Sequence, residues 1–213
     1  MLNFKKILLL SPHTDDAELG CGGLISKLKS NGCDLFYVAF SNCSKSLPKN
    51  ISPDTLTKEC FKATSKIGIK KKNVIIFDYP VREFFKHRQD ILDNLLEIKK
   101  KINPDLTLTP CSYDIHQDHR VIYDETIRAF KQKTIIGYEL PWNCFKSISN
   151  INVELSKKNV AAKIESLRCY VSQRKKFYFD EKFILNQMKI NGSFINANYA
   201  EKFELIRMSL YNK

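Results

Sequence analysis

His13, Asp15, Asp16 and Glu18 crowd together immediately after the apolar run Ile7 to Leu10. A polar group that leaves water must be hydrogen-bonded, paired or metal-bound. An imidazole and three carboxylates at the end of such a run therefore point to chemistry rather than to stability. His13 and Asp16 stand three apart, so a chain that turns directly after the run brings both to one centre while Asp15 aims elsewhere. Imidazole and carboxylate bind Zn²⁺ well, but a catalytic zinc normally takes three protein ligands and keeps a fourth position for water. The third ligand must come from elsewhere in the chain.

The chain has four histidines, and two of them stand together in Asp114-Ile115-His116-Gln117-Asp118-His119-Arg120. This cluster follows a second strand-like run, Leu106 to Thr109. In open α/β sheets ligands bind outside the carboxyl ends of parallel strands, so both clusters would share one rim. On spacing alone either His116 or His119 could reach the metal.

The pair His13-x-Asp15-Asp16 and His116-x-Asp118-His119, with the continuation Ala17-Glu18-Leu19-Gly20-Cys21-Gly22-Gly23, resembles the PIG-L/LmbE-like family of zinc-dependent deacetylases acting on N-acetylglucosamine-type sugars. Similarity extends through Glu59 to Gly68, Pro104-Asp105, Tyr138-Glu139, Ser172-Gln173 and Tyr199-Ala200-Glu201. The two histidine motifs are specific as a pair and weak singly. The resemblance implies an α/β fold: a Rossmann-like, mostly parallel central sheet flanked by helices, with the active site at the C-terminal ends of the strands, in a single domain over residues 1–213. It implies His13, Asp16 and His119 as metal ligands and Asp15 as general base. His116 would face the oxyanion of the tetrahedral intermediate, and Asp118 would orient His116 or a ligand. Zn²⁺ is the expected ion, although two histidines and an aspartate also accommodate Fe²⁺ or Co²⁺. The expected reaction is hydrolytic removal of the acetyl group from an N-acetylated amino sugar or its conjugate. The alternatives are a metal-dependent amidase for thiol-sugar conjugates or other small amides, and a non-catalytic sugar- or nucleic acid-binding protein.

Two departures from the family pattern stand out. Thr14 occupies a position where the family usually has proline, so the turn is expected to be held by Pro12 and by a hydrogen bond of the Thr14 hydroxyl. Relatives often carry a substrate-holding arginine near the start of the helix that here opens with Thr55, Leu56, Thr57 and Lys58.

Composition narrows the setting. The net charge of +12 suits an anionic partner such as a diphosphate-linked sugar, but much of the excess is lysine in runs such as Lys70-Lys71-Lys72 and Lys99-Lys100-Lys101, which read as solvated surface. No nucleic acid partner is expected. The seven cysteines are an odd number with no CxxC pairing, which argues for free thiols in a reducing compartment. The apolar stretch after Lys5-Lys6 is too short for a signal peptide, and no run approaches a membrane span. The expected location is the cytoplasm.

Strands are expected at 5–10, 34–40, 73–77, 105–109 and 134–138, each followed by a helix or rim loop. Helices are expected at 17–30, 54–67, 82–101 and 118–130, then from Ser156 with Ile164, Leu167 and Val171 on one face, and finally at 181–189 and 200–210 around a turn at Gly192. Gly20, Gly22 and Gly23 lack the GxGxxG spacing and read as close helix packing rather than a pyrophosphate cradle. The loop 41–53 is a candidate substrate wall. Arg82 near the rim and Trp142, the single tryptophan, are candidate substrate contacts, although core packing is the commoner use of a lone tryptophan. His87 reads as a surface or capping histidine.

Overall fold

A computed structural model describes residues 4–209. Five strands, β1 (Lys6–Ser11), β2 (Asp34–Ala39), β3 (Val74–Ile76), β4 (Leu106–Pro110) and β5 (Thr134–Tyr138), run parallel. Two more, β6 (Ile151–Glu154) and β7 (Ala200–Arg207), join antiparallel, giving the order β3-β2-β1-β4-β5-β7-β6. From β1 the chain winds outward through β2 to β3, then returns to the other flank of β1 with β4 and winds out again through β5. Such a reversal opens a crevice beyond the strand ends, here between β1 and β4.

The apolar run of β1 follows from its place in the centre. Ile7, Leu8, Leu9 and Leu10 are all fully buried, because a central parallel strand is covered on both faces. Ile7 and Leu9 pack with residues of α1 (Asp16–Ser30), α2 (Thr55–Lys66) and α5 (Lys157–Leu167). Leu8 and Leu10 pack with α3 (Arg88–Ile102) and α4 (Gln117–Ala129) on the opposite face. The expected mostly parallel sheet between helix layers is the one formed.

The glycines of α1 serve close packing, as their spacing suggested. A β-carbon on Gly20 would lie 2.3 Å from the Tyr138 ring, and one on Gly23 would lie 2.4 Å from Leu155. The helix also leaves regular geometry at Cys21 (φ −143°, ψ 22°). Next to this irregularity the Gly23 and Leu24 N–H groups donate to the Glu201 carboxylate at 2.9 and 2.7 Å, and Lys163 Nζ donates to the same carboxylate at 2.7 Å.

Four expectations are corrected. Residues 200–207 form β7 rather than a helix, and Leu210 lies outside the described residues. The helix-like spacing misleads because Glu201 and Glu204, which would be solvated on a helix, are buried acceptors. Glu201 serves α1, and Glu204 takes the Ser112 N–H and hydroxyl, both at 2.7 Å. Gly192 accordingly lies inside the last turn of α6 (Glu181–Ser193). The helix expected from Arg82 begins at Arg88, after a short 3-10 turn at Phe84–His87. Arg82 has φ +67°, and its N–H donates to Asp118 Oδ2 at 2.6 Å, which fixes a non-helical entry. Val171 lies beyond α5, in a 3-10 turn, and is exposed. Strand β6 carries no expectation from the sequence.

Candidate active site

Ser11 closes β1, and its hydroxyl accepts the Ala17 N–H at 3.1 Å, which folds the chain back as α1 starts. The His13 N–H donates to Asp16 Oδ2 at 2.8 Å. That turn points the His13 ring and the Asp16 carboxylate to one place, with His13 Nδ1 3.0 Å from Asp16 Oδ2. From the far side of the β1–β4 crevice, His119 on the first turn of α4 puts Nε2 3.2 Å from Asp16 Oδ2 and 3.3 Å from His13 Nδ1.

Each of these rings is held from behind by a carboxylate. His13 Nε2 meets Asp118 Oδ2 at 3.0 Å, and His119 Nδ1 meets Asp114 Oδ2 at 2.7 Å. Metal-ligating histidines characteristically give their second nitrogen to such a carboxylate, which sets tautomer and orientation. A tetrahedral ion with bonds of about 2.0–2.1 Å separates its ligand atoms by roughly 3.3 Å, and the triangle His13 Nδ1, Asp16 Oδ2, His119 Nε2 has edges of 3.0, 3.2 and 3.3 Å. The donor set fits a divalent ion. His116 is also near: ligand atoms of His13, His116 and His119 all lie within 4.8 Å of one another. However, His116 is the N-cap of α4, with Nδ1 accepting the Asp118 N–H at 3.2 Å.

Electrostatics agree with the geometry. Burial pulls the His13 imidazole down, but Asp16 and Asp118 outweigh it and hold the group up at about 9. Burial likewise opposes protonation of His119, and Asp16 and Asp114 raise it to about 10. Two proton-holding rings thus face one carboxylate oxygen, an arrangement that a dication relieves by taking the place of both protons. Burial and its two charged neighbours, His119 and His13, press His116 down to about 4. Burial, with Asp16 beside it, raises Asp15 to about 6.

These groups line a cavity of about 360 Å³. Asp15 and His116 border it together with the triangle, and so do the two candidate substrate contacts, Arg82 and Trp142. Asp118 does not line it; fully buried, this residue orients His13 and holds the Arg82 loop. Trp142 stacks on Tyr178 at 4.3 Å with rings 12° apart, so it is both a packed ring and a wall. The loop expected as a wall contributes Cys43 and Ser46. His87 sits against Tyr79 and 3.6 Å from Asp90, away from the cavity. The Thr14 hydroxyl, expected to hold the turn, has no hydrogen-bond partner.

Sequence reasoning passed over Asp114, Gln173, Lys176 and Tyr178. Asp114 could have been sought as the carboxylate that a second ligating histidine needs. Lys176 was hidden in a basic run, yet it borders the cavity, and Asp15 raises its ammonium against the opposing effect of burial. Gln173 lay in a stretch matched to the family without a role assigned to it, and Tyr178 carried no local signal.

A family model described as GlcNAc-PI de-N-acetylase, PIG-L, matches residues 8–130. The diacetylchitobiose deacetylase of Thermococcus kodakarensis is 27% identical over 124 residues, 54% of this chain and 45% of that enzyme. The match therefore spans less than half of that relative's length. The solved structure of N,N'-diacetylchitobiose deacetylase from Pyrococcus horikoshii superposes with a TM-score of 0.79 at 22% identity, covering 99% of this chain and 88% of the other. The 4-carboxy-2-hydroxymuconate hydratase of Pseudomonas putida KT2440 does so with 0.78 at 17% identity, covering 98% and 99%. The same fold is thus found in a deacetylase and in a hydratase, and the reaction must be argued from the site.

Proposed function

This chain belongs to the PIG-L family, and from that premise we propose that it is a zinc-dependent N-deacetylase, one domain across residues 1–213, acting on an N-acetylated amino sugar or its conjugate. The observation that carries the reading is the Asp15 carboxylate bordering the same cavity as the His13, Asp16, His119 triangle, with pocket space for a substrate above them.

A divalent ion held by His13, Asp16 and His119 would polarise the acetyl carbonyl and make water a stronger nucleophile at neutral pH. Asp15, beside the triangle and outside it, takes the proton of the attacking water and delivers it to the departing amine. An amine leaves poorly unless protonated, so the second transfer matters as much as the first. Because His116 Nδ1 accepts the Asp118 N–H at 3.2 Å, the proton of the neutral ring sits on Nε2. His116 then serves as a hydrogen-bond donor to the oxygen that gains charge. Asp118 and Asp114 keep the two ligand rings in place.

Trp142, stacked on Tyr178, offers an apolar face for a sugar ring, and Arg82 with Lys176 suits a substrate bearing a phosphate or carboxylate. No helix among the described residues is long and apolar enough to cross a membrane. The seven free cysteines support a reducing, cytoplasmic setting.

The test is metal content and acetate release of the wild type and Asp15→Ala with N-acetylglucosamine, diacetylchitobiose and a nucleotide-linked N-acetyl sugar. One ion per chain in both proteins, with acetate released by the wild type alone, supports the reading. A wild type that binds no offered divalent ion overturns it.

A further inference from the structure

Glu18, Tyr37 and Tyr170 are fully buried beside the site, and no step above uses them. They come from α1, β2 and the turn after α5, and they meet at one backbone oxygen. The Tyr37 hydroxyl lies 2.8 Å from the Thr14 carbonyl and 2.7 Å from Glu18 Oε2. The Tyr170 hydroxyl donates to the same carbonyl and lies 2.8 Å from Glu18 Oε1. A carbonyl oxygen has two lone pairs and can accept from both hydroxyls, each of which has one proton to give. The carboxyl of Glu18 lies within 2.8 Å of both hydroxyls and holds them side by side.

The gripped carbonyl belongs to the peptide that joins Thr14 to Asp15. Asp15 is the N-cap residue of α1, yet its side chain makes no capping hydrogen bond. Aspartate at this position ordinarily turns its carboxylate onto the N–H groups of the first helical turn. Here it borders the cavity instead. Nothing in the Thr14 side chain holds the turn, since that hydroxyl is unpartnered, and proline is absent from this position. What fixes the peptide plane ahead of Asp15 is the pair of tyrosine hydroxyls.

We propose that Glu18, Tyr37 and Tyr170 form a clamp on the Thr14 carbonyl that aims the Asp15 carboxylate into the cavity and away from the helix cap, making all three positioning residues. The inference rests on the deacetylase reading only for what Asp15 then does. Burying the Glu18 carboxyl is costly, and the competing use of Asp15, capping α1, shows what the clamp works against: without it the Asp15 carboxylate has nearer partners in the first helical turn. Tyr170 lies outside residues 8–130, so the C-terminal part of the chain takes part in aiming a group of the N-terminal motif.

The experiment compares Tyr37→Phe, Tyr170→Phe, the double variant, Glu18→Gln and Glu18→Ala as full-length, metal-loaded protein, on a substrate the wild type accepts. Each phenylalanine is expected to lower kcat about tenfold and the pair up to about a hundredfold, the scale of a misaimed catalytic group. KM should stay within about twofold, with one ion per chain. Glu18→Gln, which can still span both hydroxyls, should keep most of the rate that Glu18→Ala loses. A crystal structure of the double variant should show the Asp15 carboxylate turned onto the first N–H groups of α1. A double variant with wild-type kcat, a loss confined to KM or metal content, or an Asp15 carboxylate still facing the cavity overturns the proposal. If the double variant does not fold, the single variants decide in the same way. If the wild type releases no acetate from any N-acetyl sugar, the functional reading fails, and the crystal structure alone decides the clamp.

Discussion

His13 Nδ1 and His119 Nε2 lie 3.3 Å apart and share a single oxygen, Asp16 Oδ2, although they come from opposite sides of the β1–β4 crevice. Each nitrogen must be bare to bind an ion, whereas the surrounding carboxylates hold His13 at about 9 and His119 at about 10. With both rings held so high, an ion loading onto them at neutral pH should expel protons. Ion affinity should fall as the pH is lowered, because protons compete for the same nitrogens. Calorimetric titration in two buffers of different ionisation enthalpy should give different heats, and equal heats would contradict the assignment.

The two histidines of the second motif should separate cleanly. His119→Ala is expected to lose the bound ion, and His116→Ala to keep it while losing activity, by about 10²–10³-fold for a lost oxyanion donor. The reverse pattern in metal analysis would move the ligand role to His116.

Asp114 and Asp118 hold the rings of the proposed ligands His119 and His13, at 2.7 and 3.0 Å. Asp114→Asn and Asp118→Asn should each weaken metal affinity by about 10–100-fold. Competition with a chromophoric chelator would measure it, and wild-type affinity in both would mean that the rings need no such support.

Lys163 and Glu201 form a buried pair at 2.7 Å, where Glu201 also takes two helix N–H groups. Lys163→Met removes one charge and strands the other, so unfolding in urea should show a loss of about 3–5 kcal/mol. Restoration of part of that stability by adding Glu201→Gln would identify the stranded charge as the cause. A single variant as stable as the wild type would refute the argument.

Arg82 combines a left-handed backbone, φ +67°, with a side chain that borders the cavity. Glycine tolerates that backbone and alanine does not, by about 1 kcal/mol. Arg82→Gly should therefore melt higher than Arg82→Ala, while both raise KM for an anionic conjugate alike. Unchanged KM in both would remove Arg82 from the binding surface.

The strongest local signals in this chain survived folding with little change. The run Ile7 to Leu10 is the central strand, the two histidine motifs meet at one rim, and Gly20 and Gly23 pack where a side chain would collide. These were legible because residue type, period and spacing are local properties, and a strand buried on both faces has few alternatives. Residues 200–207 show the limit. Their spacing suits a helix, and only the presence of β5 and β6 on either side, with buried N–H groups waiting for Glu201 and Glu204, makes them a strand.

The sequence by itself determined which groups could do chemistry and that they lie at strand ends. Tertiary structure alone decided which partner each group received: Asp114 behind His119, Asp118 shared between His13 and the Arg82 amide, and Tyr170 reaching the peptide ahead of Asp15. The reason is physical. A hydrogen bond is specified by atoms within about 3 Å, and those atoms are brought to that distance by the packing of whole elements, which no short stretch of sequence encodes.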